Sequence, residues 1–344
     1  MITVTSSFPD ILFSSQVPDL RFTLTEQYAT VAISVDGTEV YCETLYAADG
    51  IVEVCDLSSL LDVYAERSLS VGVSVSITES GNAAGSASLQ FQLLFSRADV
   101  GVSASDFYTG HFLSVLTGPK VTASGRLEFL HYYGTETPSC TATYSDGSTQ
   151  TFIPAVSAGN SRYTQIDVSP DNFQAAGLEL VSYVVTAGSR SQQYDIDHSQ
   201  PDCAPILLFD NSFGVQELIY CTGLHKVSPE YSRQSARMGG LLRNYEIEET
   251  RRFQADTGVL TTAMANWADE LFRSREVYVV NIYDGVPTVG KQVVITDSKS
   301  EYSNDDASLP RFTFAYQYAQ RIHNVLQLPR EGRIFDNTYD NTFN

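Results

Sequence analysis

From Leu69 to Ile77 the chain alternates without a break: Leu69, Val71, Val73, Val75 and Ile77 are interleaved with Ser70, Gly72, Ser74 and Ser76. A two-residue period puts the two sets on opposite sides of an extended backbone, so this segment is predicted to be a half-buried β-strand. After the small polar stretch Glu79 to Gly85 the period resumes, with Ala87, Leu89, Phe91, Leu93 and Phe95 set against Ser88, Gln90 and Gln92. Two such runs joined by small residues predict an antiparallel hairpin with one buried face.

A hairpin needs a second layer to cover that face, and the chain supplies further strands at short intervals. Asp-Gly pairs at Asp36-Gly37, Asp49-Gly50, Asp146-Gly147 and Asp284-Gly285 lie between apolar runs. Glycine relieves the steric cost of positive φ in a tight turn, so each pair predicts a hairpin corner. One helix is expected in the first meander, where Asp56 can cap a turn presenting Leu57, Leu60, Leu61 and Tyr64 along one side. Residues 1–97 then read as one β-sandwich. Residues 98–200 read as a second, with strand candidates Gly125 to Tyr133, Cys140 to Ile153, Thr164 to Val168 and Leu178 to Ala187.

The pattern changes after Pro201. Leu260, Met264, Trp267 or Ala268, and Leu271 fall at helical spacing, flanked by strand candidates 206–209, 217–221, 244–253, 276–282, 291–296 and 311–318. Residues 201–330 are therefore predicted to be an α+β domain with one main helix on an antiparallel sheet. Residues 331–344, with the near-duplication Asp-Asn-Thr-Tyr-Asp-Asn-Thr-Phe, read as a flexible C-terminal arm. The fold class is thus mainly β: two consecutive antiparallel β-sandwich domains followed by an α+β domain. A chain of 344 residues is long enough for two or three separate cores.

Charge narrows the function. With 41 acidic and 21 basic residues the net charge is −20, a field that repels the phosphate backbone and excludes nucleic acid as a partner. The acid excess is densest in the first hundred residues, whereas Lys226 to Arg275 contains Arg233, Arg237, Arg243, Arg251, Arg252 and Arg273. That asymmetry predicts complementary surfaces between copies or domains. The longest apolar runs are far shorter than the roughly 20 residues a membrane helix needs. The N-terminus has no basic start followed by an apolar stretch, so no secretory signal is expected.

Five cysteines do not describe a disulfide-stapled scaffold. One pair is expected to meet: a hairpin of 206–209 with 216–220 would bring Cys203 nearly opposite Cys221, and a disulfide there is the candidate covalent link. No CxxC, HExxH, P-loop or GxSxG signature is present, so no cofactor, metal or catalytic residue is assigned. His111, His131, His198, His225 and His323 fall in unrelated contexts. Oxygen ligands crowd at Tyr194-Asp195-Ile196-Asp197 and Ser303-Asn304-Asp305-Asp306, where Ca²⁺ is the ion to consider, but without EF-hand spacing. Tyrosines (20) and phenylalanines (18) offer surfaces on which sugar rings could stack.

The stretch from Cys203-Ala204-Pro205-Ile206 through Asp210-Asn211-Ser212-Phe213-Gly214 to Tyr220-Cys221-Thr222-Gly223 resembles uncharacterised proteins encoded near tail genes in prophages of gut anaerobes. The segment from Asp49-Gly50 to Tyr64 is similar to the same group. Together they cover about a third of the chain. The resemblance implies a context, a non-catalytic structural or adaptor subunit of a phage-tail-like or baseplate-like virion assembled in the host cytoplasm, and carries no site residues. Its partners would be other virion proteins or copies of itself. The alternative is a carbohydrate-binding or adhesin-like surface protein, with surface glycans as partners.

Overall fold

The structure is a computed structural model that describes residues 2–80, 85–158, 163–199, 201–283, 286–299 and 309–320. Its first region contains β1 (Thr3–Val4), β2 (Ile11–Phe13), β3 (Leu20–Thr23), β4 (Tyr28–Val35), β5 (Thr38–Tyr46), β6 (Ile51–Val54), α1 (Leu57–Ser68), β7 (Ser70–Glu79) and β8 (Ser86–Leu94). They form a five-stranded sheet, β2-β8-β7-β4-β5, facing a three-stranded one, β1-β3-β6. The alternating hairpin is present with Val73 opposite Phe91 and Val75 opposite Leu89. Val71, Val73, Val75 and Ile77 are all buried against Phe22, Val31 and Ile33. Asp36 and Gly37 both take positive φ at the β4–β5 corner.

Two local expectations are corrected here. Asp56 does not cap α1 through its side chain: it sits in the left-handed region, and its carboxylate accepts from Ser59 Oγ at 2.6 Å. The buried line of α1 is Leu57, Leu61 and Ala65, leaving Tyr64 at the rim.

The second region, entered through α2 (Ala104–Gly110), contains β9 (Lys120–Thr122), β10 (Phe129–Tyr133), β11 (Pro138–Tyr144), β12 (Thr149–Phe152), β13 (Val156–Ala158), β14 (Tyr163–Asp167), β15 (Leu180–Ala187) and β16 (Arg190–Ile196). A sheet ordered β12-β11-β15-β16-β9 packs on β10-β14-β13. Tyrosines fill its core and keep their hydroxyls bonded: Tyr183 to the Val168 carbonyl at 2.7 Å and Tyr144 to that of Phe173 at 2.9 Å. Each of the two five-stranded sheets departs from pure antiparallel pairing at one edge, where β2 and β9 run parallel to β8 and β16.

The third region is one antiparallel sheet of seven strands, ordered β18-β17-β21-β22-β23-β20-β19. Its strands are β17 (Ile206–Asp210), β18 (Gln216–Tyr220), β19 (Lys226–Met238), β20 (Leu241–Asp256), β21 (Val277–Tyr283), β22 (Val286–Lys299) and β23 (Thr313–Tyr318). One face packs on α3 (Thr262–Ala268) and α4 (Glu270–Arg273), with Trp267 and Phe209 in contact. The other face brings Leu208, Leu218 and Val280 against Leu127 and Phe129 of the second region. The expected single helix is therefore two short ones. Thr261 Oγ1 accepts from Met264 N, so the helix starts after Leu260 rather than at it.

Cys203 and Cys221 are both free thiols, which corrects the expected disulfide. The hairpin forms, with Ile206 opposite Tyr220, but the sulfurs face different surroundings. Cys221 is sealed in the helix-side core, while Cys203 Sγ lies 3.1 Å from Arg126 Nη2 and donates to the Pro201 carbonyl. The Asp284-Gly285 corner and the C-terminal arm 331–344 lie outside the described residues.

Candidate functional site

The seven-stranded sheet does not end where its core ends. Only Arg252–Asp256 of β20 pair with β23, and among the described residues Leu241–Arg251 pair with β19 alone. From Pro229 to Met238 the two strands thus form a free-standing hairpin, roughly 35 Å long at about 3.4 Å per residue. Gly239 and Gly240 close it with positive φ at both positions. Nearly every side chain on it is exposed, including Tyr231, Met238, Leu241, Leu242, Tyr245 and Ile247. A two-stranded ribbon in water is marginal on its own, and this one leaves apolar side chains uncovered at its tip.

The opposite end of the sheet is clamped by buried charge. Lys120 Nζ donates to Glu128 Oε2 at 2.6 Å and to the Leu218 carbonyl at 3.3 Å, and lies 4.4 Å from the centre of the Trp267 ring. The Trp267 indole N–H donates to Glu217, whose other oxygen accepts from Asn211 Nδ2 at 2.6 Å. Ser212 donates to Glu270. Burial pushes the Glu270 carboxyl up to about 7, opposed by the Ser212 hydrogen bond and supported by the Glu217 charge. Paired carboxylates with a lysine and a raised pKa invite a catalytic reading. These groups are all buried, however, and the Lys120 bond to the Leu218 carbonyl ties the second region to the third.

Between all three regions lies a cavity of about 340 Å³ lined by Leu69, Phe129, His131, Gln165, Leu208 and Val280, among others. Burial lowers the His131 imidazole to about 4, keeping it neutral at ordinary pH. The wall is mostly apolar, with His131 and Gln165 side by side on β10 and β14 as polar groups.

The structure scatters the other sequence candidates. His111 stacks on Phe107, His225 bonds Tyr316 and stacks on Phe253, and His198 is exposed; His323 lies outside the described residues. Asp195 accepts from Gln193 and Asp197 from Ser199, and among the described residues the two share no ligand cluster. The second candidate loop, 303–306, lies outside the described residues. Asp19, Glu53 and Cys55 approach one another at the surface, but Arg21 already neutralises Glu53 at 2.6 Å. One aromatic pair does face solvent: Tyr28 and Tyr46, cross-strand partners on β4 and β5 with ring centres 5.4 Å apart. The arm itself had a partial signal in the clustered arginines. Its first strand had none, because β19 has no apolar alternation.

No protein-family model matches the chain, and no curated protein matches it. Among solved structures it is similar to a Bacteroides ovatus mixed-linkage glucan utilization locus protein, SGBP-B, in complex with a heptasaccharide. That match has 11% identity, covers 89% of this chain and 74% of the other, and has a TM-score of 0.19. An Antarctic bacterial Ca²⁺-stabilized adhesin that binds ice follows, with 12% identity, 89% and 77% coverage and a TM-score of 0.17. The titin I-band fragment I67-I69 has 10% identity, 94% and 89% coverage and a TM-score of 0.19. At such scores none of these likenesses carries an argument about what this chain binds.

Proposed function

We propose that this chain is a non-catalytic subunit of a multi-protein assembly, a stack of β-domains that presents a hairpin arm for docking. The single observation that carries the reading is the free-standing β19–β20 ribbon with its exposed Met238, Leu241 and Leu242 tip. The body behind it is braced by the buried Lys120–Glu128 ion pair and a joint core in which Phe13, Phe107, Tyr163 and Phe213 of successive regions meet. A rigid body with a projecting arm suits an adaptor, since the docking element is held at a defined distance from the rest. The setting we attach to it is a tail-like or baseplate-like particle assembled in the cytoplasm of a host, on the resemblance described above.

The test compares the full chain with one in which Glu230–Thr250 is replaced by a two-residue turn. That segment belongs to none of the cores, so the shortened chain is expected to fold and melt normally. Native light scattering is expected to show assembly, alone or with neighbouring gene products, for the full chain only. Equal behaviour of both chains, or a strictly monomeric full chain that binds no neighbour, removes the reading.

A second reading, glycan binding, rests on the exposed Tyr28–Tyr46 pair, since sugar rings stack on such faces. A glycan array hit abolished by Tyr46→Ala supports it, and an empty array on the folded chain sinks it.

A further inference from the structure

We propose that the partner of the arm is the arm of a second copy of this chain, laid side by side so that β19 of one copy runs along β20 of the next; this rests on the docking role proposed above. Both outer edges of the ribbon are open among the described residues, because β19 pairs only with β20 and β20 from Leu241 to Arg251 pairs only with β19. An open edge presents a row of unpaired N–H and C=O groups that another strand can satisfy.

Charge selects the partner. Between Ser228 and Arg251 the arm holds four arginines and four glutamates, so the whole net charge of −20 resides on the rest of the molecule. Two bodies repel, and the arm is where copies can approach without that penalty. Within the arm the signs are biased by strand: β19 carries Arg233 and Arg237 against the single Glu230, while β20 up to Arg251 carries Glu246, Glu248 and Glu249 against Arg243 and Arg251. Pairing β19 with a second β19 brings two net-positive edges together, and β20 with β20 two net-negative ones. Only β19 along β20 matches, which is a heterologous contact. Such a contact repeats from copy to copy and ends in a ring or an open stack rather than a two-fold dimer. Pro229, which has no N–H, interrupts the usable ladder on its body side, leaving the stretch from Glu230 outward.

The test is an exchange of charges, read by native mass spectrometry and light scattering on the full chain. The wild-type chain is expected to assemble, with association weakening as salt rises. Arg233→Glu with Arg237→Glu, and separately Glu246→Lys with Glu248→Lys, are each expected to give at least a tenfold loss of self-association. Mixing the two variants is expected to restore assembly with alternating copies, since each acidic edge then meets a basic one. The chain carrying all four changes is expected to assemble alone, which also controls for an arm that merely unfolds in the double variants. Failure of both the mixture and the fourfold variant overturns the arm-to-arm contact. If arm removal still abolishes binding to a different protein, or to residues 321–344 added as a peptide, the self-pairing falls while the docking role stands. If arm removal changes nothing, both fall.

Discussion

Strand β20 lies in two worlds. At its C-terminal end Phe253 stacks on Tyr316 at 4.8 Å, Ala255 is fully buried, and the two oxygens of Asp256 share the Arg311 Nε–H at 2.7 Å. At its N-terminal end Leu241 and Leu242 are 61% and 70% exposed and touch no core. Both halves are extended strand in one ladder, so secondary structure alone does not tell them apart. The difference is the company they keep: β23 and α3 cover one half, and the other half meets only β19. A ribbon packed at its root and bare at its tip draws its stability from the root residues alone.

The largest expected effect lies at the braced end. Lys120→Met leaves the Glu128 carboxylate buried without its cation, and the expected loss is about 3–5 kcal/mol, read by thermal or denaturant unfolding. Adding Glu128→Gln is expected to recover much of it, because the cost comes from the abandoned charge more than from the pair. A Lys120→Met variant that melts like the parent would show that this clamp does not brace the domains.

At the root of the arm, Phe253→Ala removes a ring packed against His225, Tyr316 and Tyr318. A loss of about 3 kcal/mol is expected, together with faster amide exchange along β20. If exchange rises equally in the first region, the root and the body unfold as one unit, and the contrast between them is less sharp than the packing implies.

These two regions were not equally legible in the sequence. The alternating hairpin of β7 and β8 could be read residue by residue because serine and glycine mark one face and aliphatic residues the other. Strand β16 was invisible, since its inward positions are Arg190, Gln192 and Tyr194. Arg190 is buried by bonding the carbonyls of Tyr108, Tyr133 and Ala187, and the first two lie 82 and 57 residues back in the chain, where they leave no local pattern. Strand β19 was missed for the opposite reason: it is polar on both faces because nothing covers it. The helix at 260–271 was placed correctly but read as one piece starting at Leu260, since helical spacing of apolar residues reveals neither the Thr261 cap nor the break at Asp269. The cysteine pair misled because a hairpin fixes backbone neighbours, while sulfur direction depends on which face each residue is given.

A smaller effect separates the braced regions by pH. Glu270 is held at about 7 by burial, above its ordinary 4.5, so the native state favours its proton. Its contribution is complete below about 4.5 and is lost as pH rises through 7, on the order of 2–3 kcal/mol in all. His131 runs the other way: its pKa is lowered to about 4 from 6.5, so its contribution is complete above 6.5 and is lost as pH falls toward 4. The two limbs oppose each other across the same window. Glu270→Gln is expected to leave a protein whose stability rises with pH between 4 and 6.5. His131→Leu is expected to leave one whose stability falls with pH between 4.5 and 7. Melting temperatures measured at half-unit pH steps check both, and parallel curves for the two variants would refute the assignment.

The smallest expected change in stability is at the tip, and it is the one that most sharpens the contrast. Leu241→Ser with Leu242→Ser removes two exposed aliphatic side chains that no core uses. Unfolding is expected to shift by less than about 0.5 kcal/mol, since surface substitutions away from packed features rarely do more. Association through the arm is expected to drop in the same variant, because those side chains have no purpose in the free chain beyond what they meet outside it. A marked loss of stability instead would mean that the tip is already covered within one molecule, and that the root and tip of β20 differ less than their exposure says.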